Sequence, residues 1–182
     1  MLKKQKLTII ISAILIVALA VVYFTVVAPM LKETEEEDIP ALLEGEVYSE
    51  AYSKIMIFPK IEQADIKEIK IHNEHGDYSF YQGNNGDFYL TGYEGTTFGT
   101  DKFTSLAATV RLPMAINRVT ENPTDLAKYG LDPSQDPAYY IVTYKNDSSY
   151  KMFIGDVLPT SGGYYAMLDG RNVVYALDTT SK

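Results

Sequence analysis

The sequence predicts a β-rich α+β domain of antiparallel strands with one or two packed helices, preceded by a single N-terminal transmembrane helix. Three observations predict it. The run from Leu7 to Ala28 contains no charged residue and no strong helix breaker. From Ile66 onward, short stretches of alternating apolar and polar residues are separated by Gly- and Asn-containing turns, the period-2 pattern of half-buried strands. One stretch downstream, Asp101 to Leu112, repeats its apolar residues at helical spacing instead.

The N-terminal run comes first. At about 1.5 Å per residue it makes a helix roughly 33 Å long, enough for a hydrocarbon core of about 30 Å. Thr8, Ser12 and Thr25 are its polar interruptions, and each hydroxyl can bond a carbonyl one turn back. Lys3, Lys4 and Lys6 precede it, while Glu33, Glu35, Glu36, Glu37 and Asp38 follow closely, beside Lys32. Cationic flanks stay in the cytoplasm, so the expected protein is single-pass in a plasma membrane, with its N-terminus inside and residues 29–182 outside. The alternative is a signal peptide cleaved after Ala20, at the small-x-small stretch Ala18-Leu19-Ala20. Against cleavage, such a site opens onto Val21, Val22, Tyr23 and Phe24 rather than onto polar chain. Both readings export the remainder. The expected organisation is 1–28 for the flank and membrane helix, 29–46 for an acidic juxtamembrane linker closed by Pro40 and Gly45, and 47–182 for the extracytoplasmic domain.

Within that domain, 47–58 fits neither period well. Ile69 and Ile71 alternate with Lys and His up to a turn at His75-Gly76-Asp77. Tyr78, Phe80 and Gln82 alternate in a second strand, Asn84-Asn85-Gly86-Asp87 turns the chain, and Phe88 and Leu90 begin a third. Three strands with such turns read as an antiparallel meander. In 101–112, Phe103, Leu106, Ala107 and Val110 share one helix face, Thr100 or Asp101 can cap it, and Pro113 ends it. A strand over 115–119 follows, then a second short helix over 123–129 with Gly130 as its left-handed C-terminal cap. Strands return at 139–145, 150–155, 164–168 and 173–178. Gly155 is expected to close the second of these, allowing a bulge or a close backbone approach. Val173, Val174, Tyr175 and Leu177 form a strongly β-prone last strand with little chain after it. It is expected to lie at an open sheet edge, through which the protein self-associates or recruits a partner.

Composition removes several function classes. All 24 acidic residues follow the apolar run, along with 13 of the 16 basic ones, which argues against nucleic acid as a partner. There is no cysteine, hence no disulfide and no thiolate metal site. His72 and His75 are the two histidines; a His-x-x-His pair in a hairpin can offer two imidazoles to zinc, but no third fixed ligand is visible. Asp132, Ser134 and Asp136 imitate the start of a calcium loop, yet Pro137 stands where its glycine is required. No nucleophile elbow and no phosphate-binding Gly-Lys-Ser/Thr turn occurs. The expectation is therefore a non-enzyme without cofactor or metal. The fifteen tyrosines offer the one candidate partner surface. Tyr139, Tyr140, Tyr144, Tyr150, Tyr164 and Tyr165 can form either an exposed platform for glycan or peptide or the packed face of a sheet.

Recognition rests on an ordered set in the second half: Leu126-Ala127-Lys128-Tyr129-Gly130-Leu131-Asp132-Pro133, then Phe153-Ile154-Gly155-Asp156, Gly163-Tyr164-Tyr165-Ala166 and Val173-Val174-Tyr175-Ala176-Leu177. In these the chain resembles the domain of unknown function 4340 family of bacterial envelope proteins, over roughly 66–182. The resemblance implies one N-terminal membrane span and an association with ABC transport systems of the gliding-motility or auxiliary type, with their permease and ATPase subunits as partners. It supplies no catalytic residues. Members of the family are commonly longer, so the chain ending at Lys182 is expected to be a shortened one. The expected function is a non-catalytic extracytoplasmic accessory module of such a transport system. The alternative is an independent cell-envelope module binding glycan or peptide through the tyrosines.

Overall fold

A computed structural model of the chain describes residues 15–28, 40–94, 100–160 and 162–178. They fall into two compact units, Met1–Ala41 and Leu42–Lys182. In the first unit the described residues 15–28 form one helix, α1, which winds as a π-helix over Tyr23–Val27. Its apolar side chains are exposed, Phe24 by 70% and Ile16 by 66%. Thr25 donates its hydroxyl to the Val21 carbonyl at 2.7 Å, the one-turn-back bond that hides a polar group on an apolar helix. The first part of the expected membrane run, 7–14, lies outside the described residues, as does 29–39 of the expected linker. Among the described residues no helix is long and apolar enough to cross a membrane.

The second unit is built on one antiparallel sheet of ten strands: β1 (Val47–Ser49), β2 (Lys54–Met56), β3 (Ile66–Asn73), β4 (Gly76–Gln82), β5 (Phe88–Leu90), β6 (Met114–Glu121), β7 (Ala138–Tyr144), β8 (Ser149–Val157), β9 (Gly163–Leu168) and β10 (Val173–Asp178). Their order across the sheet is β1-β2-β6-β10-β9-β8-β7-β3-β4-β5. The expected meander is present as β3-β4-β5, and a second one runs from β7 to β10. The helix α2 (Thr100–Val110) packs on one face. Ala107 and Val110 are buried there among Ile69, Val142, Met152, Ala166, Tyr175 and Leu177, with Phe103 and Leu106 packed at the margin. This is the domain core, and the helical spacing read from the sequence is what points these residues into it.

The opposite face is covered where β8, β9 and β10 meet. Val174 and Ala176, which alternate with the core residues of β10, are buried together with Leu131 from the 126–136 segment. A Cβ on Gly155 would stand 2.0 Å from the Tyr129 carbonyl oxygen, so only glycine lets that segment lie against the sheet. Gly130 takes φ +65° and turns the chain down to it.

Several expectations are corrected. The second helix over 123–129 shrinks to a 3₁₀ turn, Ala127–Tyr129, because Asp125 accepts the Ala127 N–H at 3.2 Å and Gly130 ends the segment almost at once. The 47–58 stretch divides into β1 and β2, joined by a tight turn with Ser53 at φ 49°. Gly155 does not close its strand: β8 continues to Val157 through a register shift against β9, although the close backbone approach expected there is present. The largest correction concerns the last strand. β10 is interior, paired with β9 on one side and along its length with β6 on the other, Val173 opposite Glu121 and Leu177 opposite Ala115. The strand that covers it, β6, comes from far upstream rather than from chain after Leu177. The exposed C-terminal edge, and the self-association expected through it, lose their basis. The edges are instead β1 and β5, each three residues long, and such short edges blunt strand addition.

Candidate functional site

A groove of about 920 Å³ runs between α2 and the sheet. Its helix side follows from spacing alone. Lys102, Leu106 and Val110 succeed one another at i, i+4 and i+8, with Ser105 and Thr109 beside them. Thr109 returns its hydroxyl to the Ser105 carbonyl at 3.0 Å, which leaves that wall largely apolar. The sheet side needs the tertiary pairing. Ile71 on β3 lies opposite Tyr140 on β7, and Ala138 lies opposite Ile154 on β8, so all four reach the groove. Tyr150 closes the end of α2 by donating its hydroxyl to the Val110 carbonyl. Burial holds the Tyr150 and Tyr140 hydroxyls far above the usual phenol range, and they stay neutral.

At one mouth His72 stands between two carboxylates. Its Nδ1 lies 2.8 Å from Asp77 Oδ1 and its Nε2 lies 3.2 Å from Asp136 Oδ2, while its ring stacks on Tyr139 at 4.9 Å and 17°. Two carboxylate acceptors require two donors, so the arrangement favours the imidazolium. The bond to Asp77 is the main cause that raises the His72 pKa above its ordinary 6.5; partial burial opposes it, and Asp136 adds to it. His75 does not join this cluster: its side chain is exposed, 3.5 Å from Glu74. Among the described residues no three histidines and acids converge as a metal site. Of the calcium-like triplet, Asp132 caps the 3₁₀ turn Pro133–Gln135 by accepting the Ser134 N–H at 2.9 Å, a bond that lowers its own pKa. Asp136 takes φ 53° and turns to His72.

The six candidate tyrosines do not form one platform. Tyr140, Tyr144, Tyr150 and Tyr164 point toward α2 and the core, and Tyr139 and Tyr165 alternate to the other face. Tyr140, Tyr144 and Tyr150 form an aromatic cluster, with ring centroids 5.9 and 6.1 Å from Tyr150. Tyr164 and Tyr140 both line the groove. Tyr139 is covered on its faces, by His72 and by the Lys151 ammonium 3.6 Å from its ring centroid. Tyr165 meets Tyr129 edge-on at 5.0 Å.

Sequence reasoning missed a second charged cluster. Glu46 is 7% exposed, accepts the Tyr175 hydroxyl at 2.7 Å and the Leu43 N–H at 2.9 Å, and lies 3.5 Å from Arg118. Arg171 donates to the Tyr175 oxygen at 3.1 Å, to the Ile57 carbonyl at 2.7 Å and to the Glu44 carbonyl at 2.8 Å. Burial, with the Glu46 carboxylate next, pushes the Tyr175 hydroxyl up to about 12. With both carboxylate oxygens engaged, this cluster ties the start of the unit to β6 and β10 rather than presenting a reactive group. Its only sequence signal was a lone glutamate ahead of a strand.

The family described as Domain of unknown function (DUF4340) matches residues 89–182, just over half of the chain. The chain belongs to this family. The match begins later than the expected 66, so it takes in α2 and β6 through β10 but leaves out β3 and β4, and with them Ile71, His72 and Asp77. The helix wall of the groove, its β7 and β8 strands and Asp136 are therefore family-matched, and His72 and Asp77 are not. Neither curated proteins nor solved structures give a match to the chain.

Proposed function

We propose that this chain is a membrane-anchored, extracytoplasmic, non-catalytic accessory module of an ABC-type transport system, and that the groove between α2 and the sheet is its recognition site. The observation that carries the reading is the groove itself. Its walls are largely carbon, and the imidazole at its mouth has each ring nitrogen beside a carboxylate, so it offers a cleft for binding rather than a base poised for catalysis. Anchoring is supported by the uncharged run from Leu7, its three preceding lysines and the exposed apolar surface of α1. The transport link rests on what the family resemblance implies. The glycan- or peptide-binding alternative draws less support, because Tyr139 is already covered by His72 and Lys151.

Purification of the full chain from its native membrane in mild detergent tests the reading. Recovery of permease and ATPase subunits with it is the expected result. Retention on cell-wall material without those subunits would favour the alternative and overturn the transport role.

A further inference from the structure

The wall chemistry of the groove narrows what it takes, given the reading above that the groove is the recognition site. Leu106 and Val110 on α2 face Ile71, Tyr140 and Ile154 on the sheet. Each of the three sheet strands lies between two bonded neighbours: β3 between β4 and β7, β7 between β3 and β8, β8 between β7 and β9. An extended peptide laid there finds no open strand edge, and its own N–H and C=O groups would be desolvated without partners. An alkyl chain brings no such groups. The volume is at the upper end for ligands of drug size, which suits one chain with a head group rather than a two-chain lipid.

The charges at the lining are divided by wall. Glu74 and Asp136 stand on the sheet side, where Asp136 and Asp77 together hold the single His72 imidazolium and leave that wall net negative, and Lys102 stands on the helix side. Lys102 occupies the first turn of α2 with an exposed side chain and is the cation that the helix wall offers to an anion. A head carrying one sign alone would meet its own sign on one wall. We propose that the groove binds a single-chain zwitterionic amphiphile, its alkyl chain between Leu106 and the Tyr140–Ile154 wall, its anionic group toward Lys102 and its ammonium toward Glu74 and Asp136.

A photoreactive lysophosphocholine with a diazirine in its chain is the probe. It is added to the full chain in phosphatidylglycerol nanodiscs, beside probes of equal chain length bearing trimethylammonium or sulfate heads. Label on α2, β7 and β8 peptides is read as a ratio to label on the rest of 42–182. The zwitterionic probe should exceed both others by about fivefold in this ratio, the scale of one partly exposed ion pair. Leu106→Trp should abolish the groove label by filling the cleft. Lys102→Glu, on an exposed side chain, should shift preference to the trimethylammonium probe without a folding cost. Label scattered evenly, an equal ratio for all three heads, or groove label displaced by an apolar peptide with no head-group preference would overturn the proposal. Flotation with the discs is scored separately: a chain that does not float contradicts the anchored reading, while the ratio still decides the ligand.

Discussion

Glu46 and His72 each centre a cluster of carboxylate and cation on the same sheet, yet they differ in what surrounds them. The Glu46 side chain is fully buried, and Tyr175, Leu43 and Arg118 meet its oxygens from three separate parts of the chain. Asp77 and Asp136, the partners of His72, are 82% and 81% exposed. Similar chemistry therefore does different work. In the buried cluster, removal of the carboxylate leaves the Tyr175 hydroxyl and the Leu43 N–H without an acceptor away from water, and the penalty falls on folding. In the exposed one, solvent replaces a lost partner, and the effect appears in protonation instead. The first holds the fold, and the second sets the charge at the mouth of the groove.

The largest break in that comparison is Glu46→Ala. It leaves the Tyr175 hydroxyl and the Leu43 N–H without their buried acceptor, while Arg118 keeps Glu121 at 2.7 Å, and should cost about 2–4 kcal/mol in a denaturant unfolding experiment. A loss below about 1 kcal/mol would mean that water reaches the cluster, and the contrast would fail. Next comes Gly155→Ala, which probes the covered face without touching a charge. Its methyl meets the Tyr129 carbonyl, and the displaced 126–136 segment should cost about 1–3 kcal/mol. Gly162→Ala, whose new methyl would find only ordinary contact at 3.5 Å, is the matching control and should be near neutral.

The smallest effect belongs to the exposed cluster. His72 has a folded pKa raised above 6.5, so its contribution to stability is fully present below that value and is lost as pH rises through the folded pKa. Asp77→Asn should lower the His72 pKa more than Asp136→Asn does, because the bond to Asp77 is the larger cause. An imidazole titration followed by NMR measures both. Equal shifts, or none, would show that the two carboxylates do not act as unequal partners of one ring.

The β3-β4-β5 meander was legible because alternation and Asn-Gly turns are local signals, and α2 because Leu106, Ala107 and Val110 repeat at its own period. The place of β10 was not, since its cover is β6, and nothing near Val173 in the sequence names that partner. One half of the groove was legible and the other was hidden for the same reason: α2 shows its inward face in its spacing, while the sheet wall depends on β3 lying beside β7. Part of the tyrosine reading was open to correction from parity alone. Tyr139 and Tyr140 are adjacent in a strand, as are Tyr164 and Tyr165, so neither pair can share a face. Glu46 carried no comparable signal, because burial of its carboxylate is decided by Arg118 and Tyr175, both more than seventy positions away.

The central claim, an extracytoplasmic binding domain held by an N-terminal anchor, meets its most direct test in thiol labelling of intact cells. The chain has no cysteine, so Tyr52→Cys, on an exposed turn between β1 and β2, creates a single reporter thiol. A membrane-impermeant maleimide should label it without lysis, in a protein that fractionates with the membrane. Labelling only after lysis would place the domain in the cytoplasm and contradict the account.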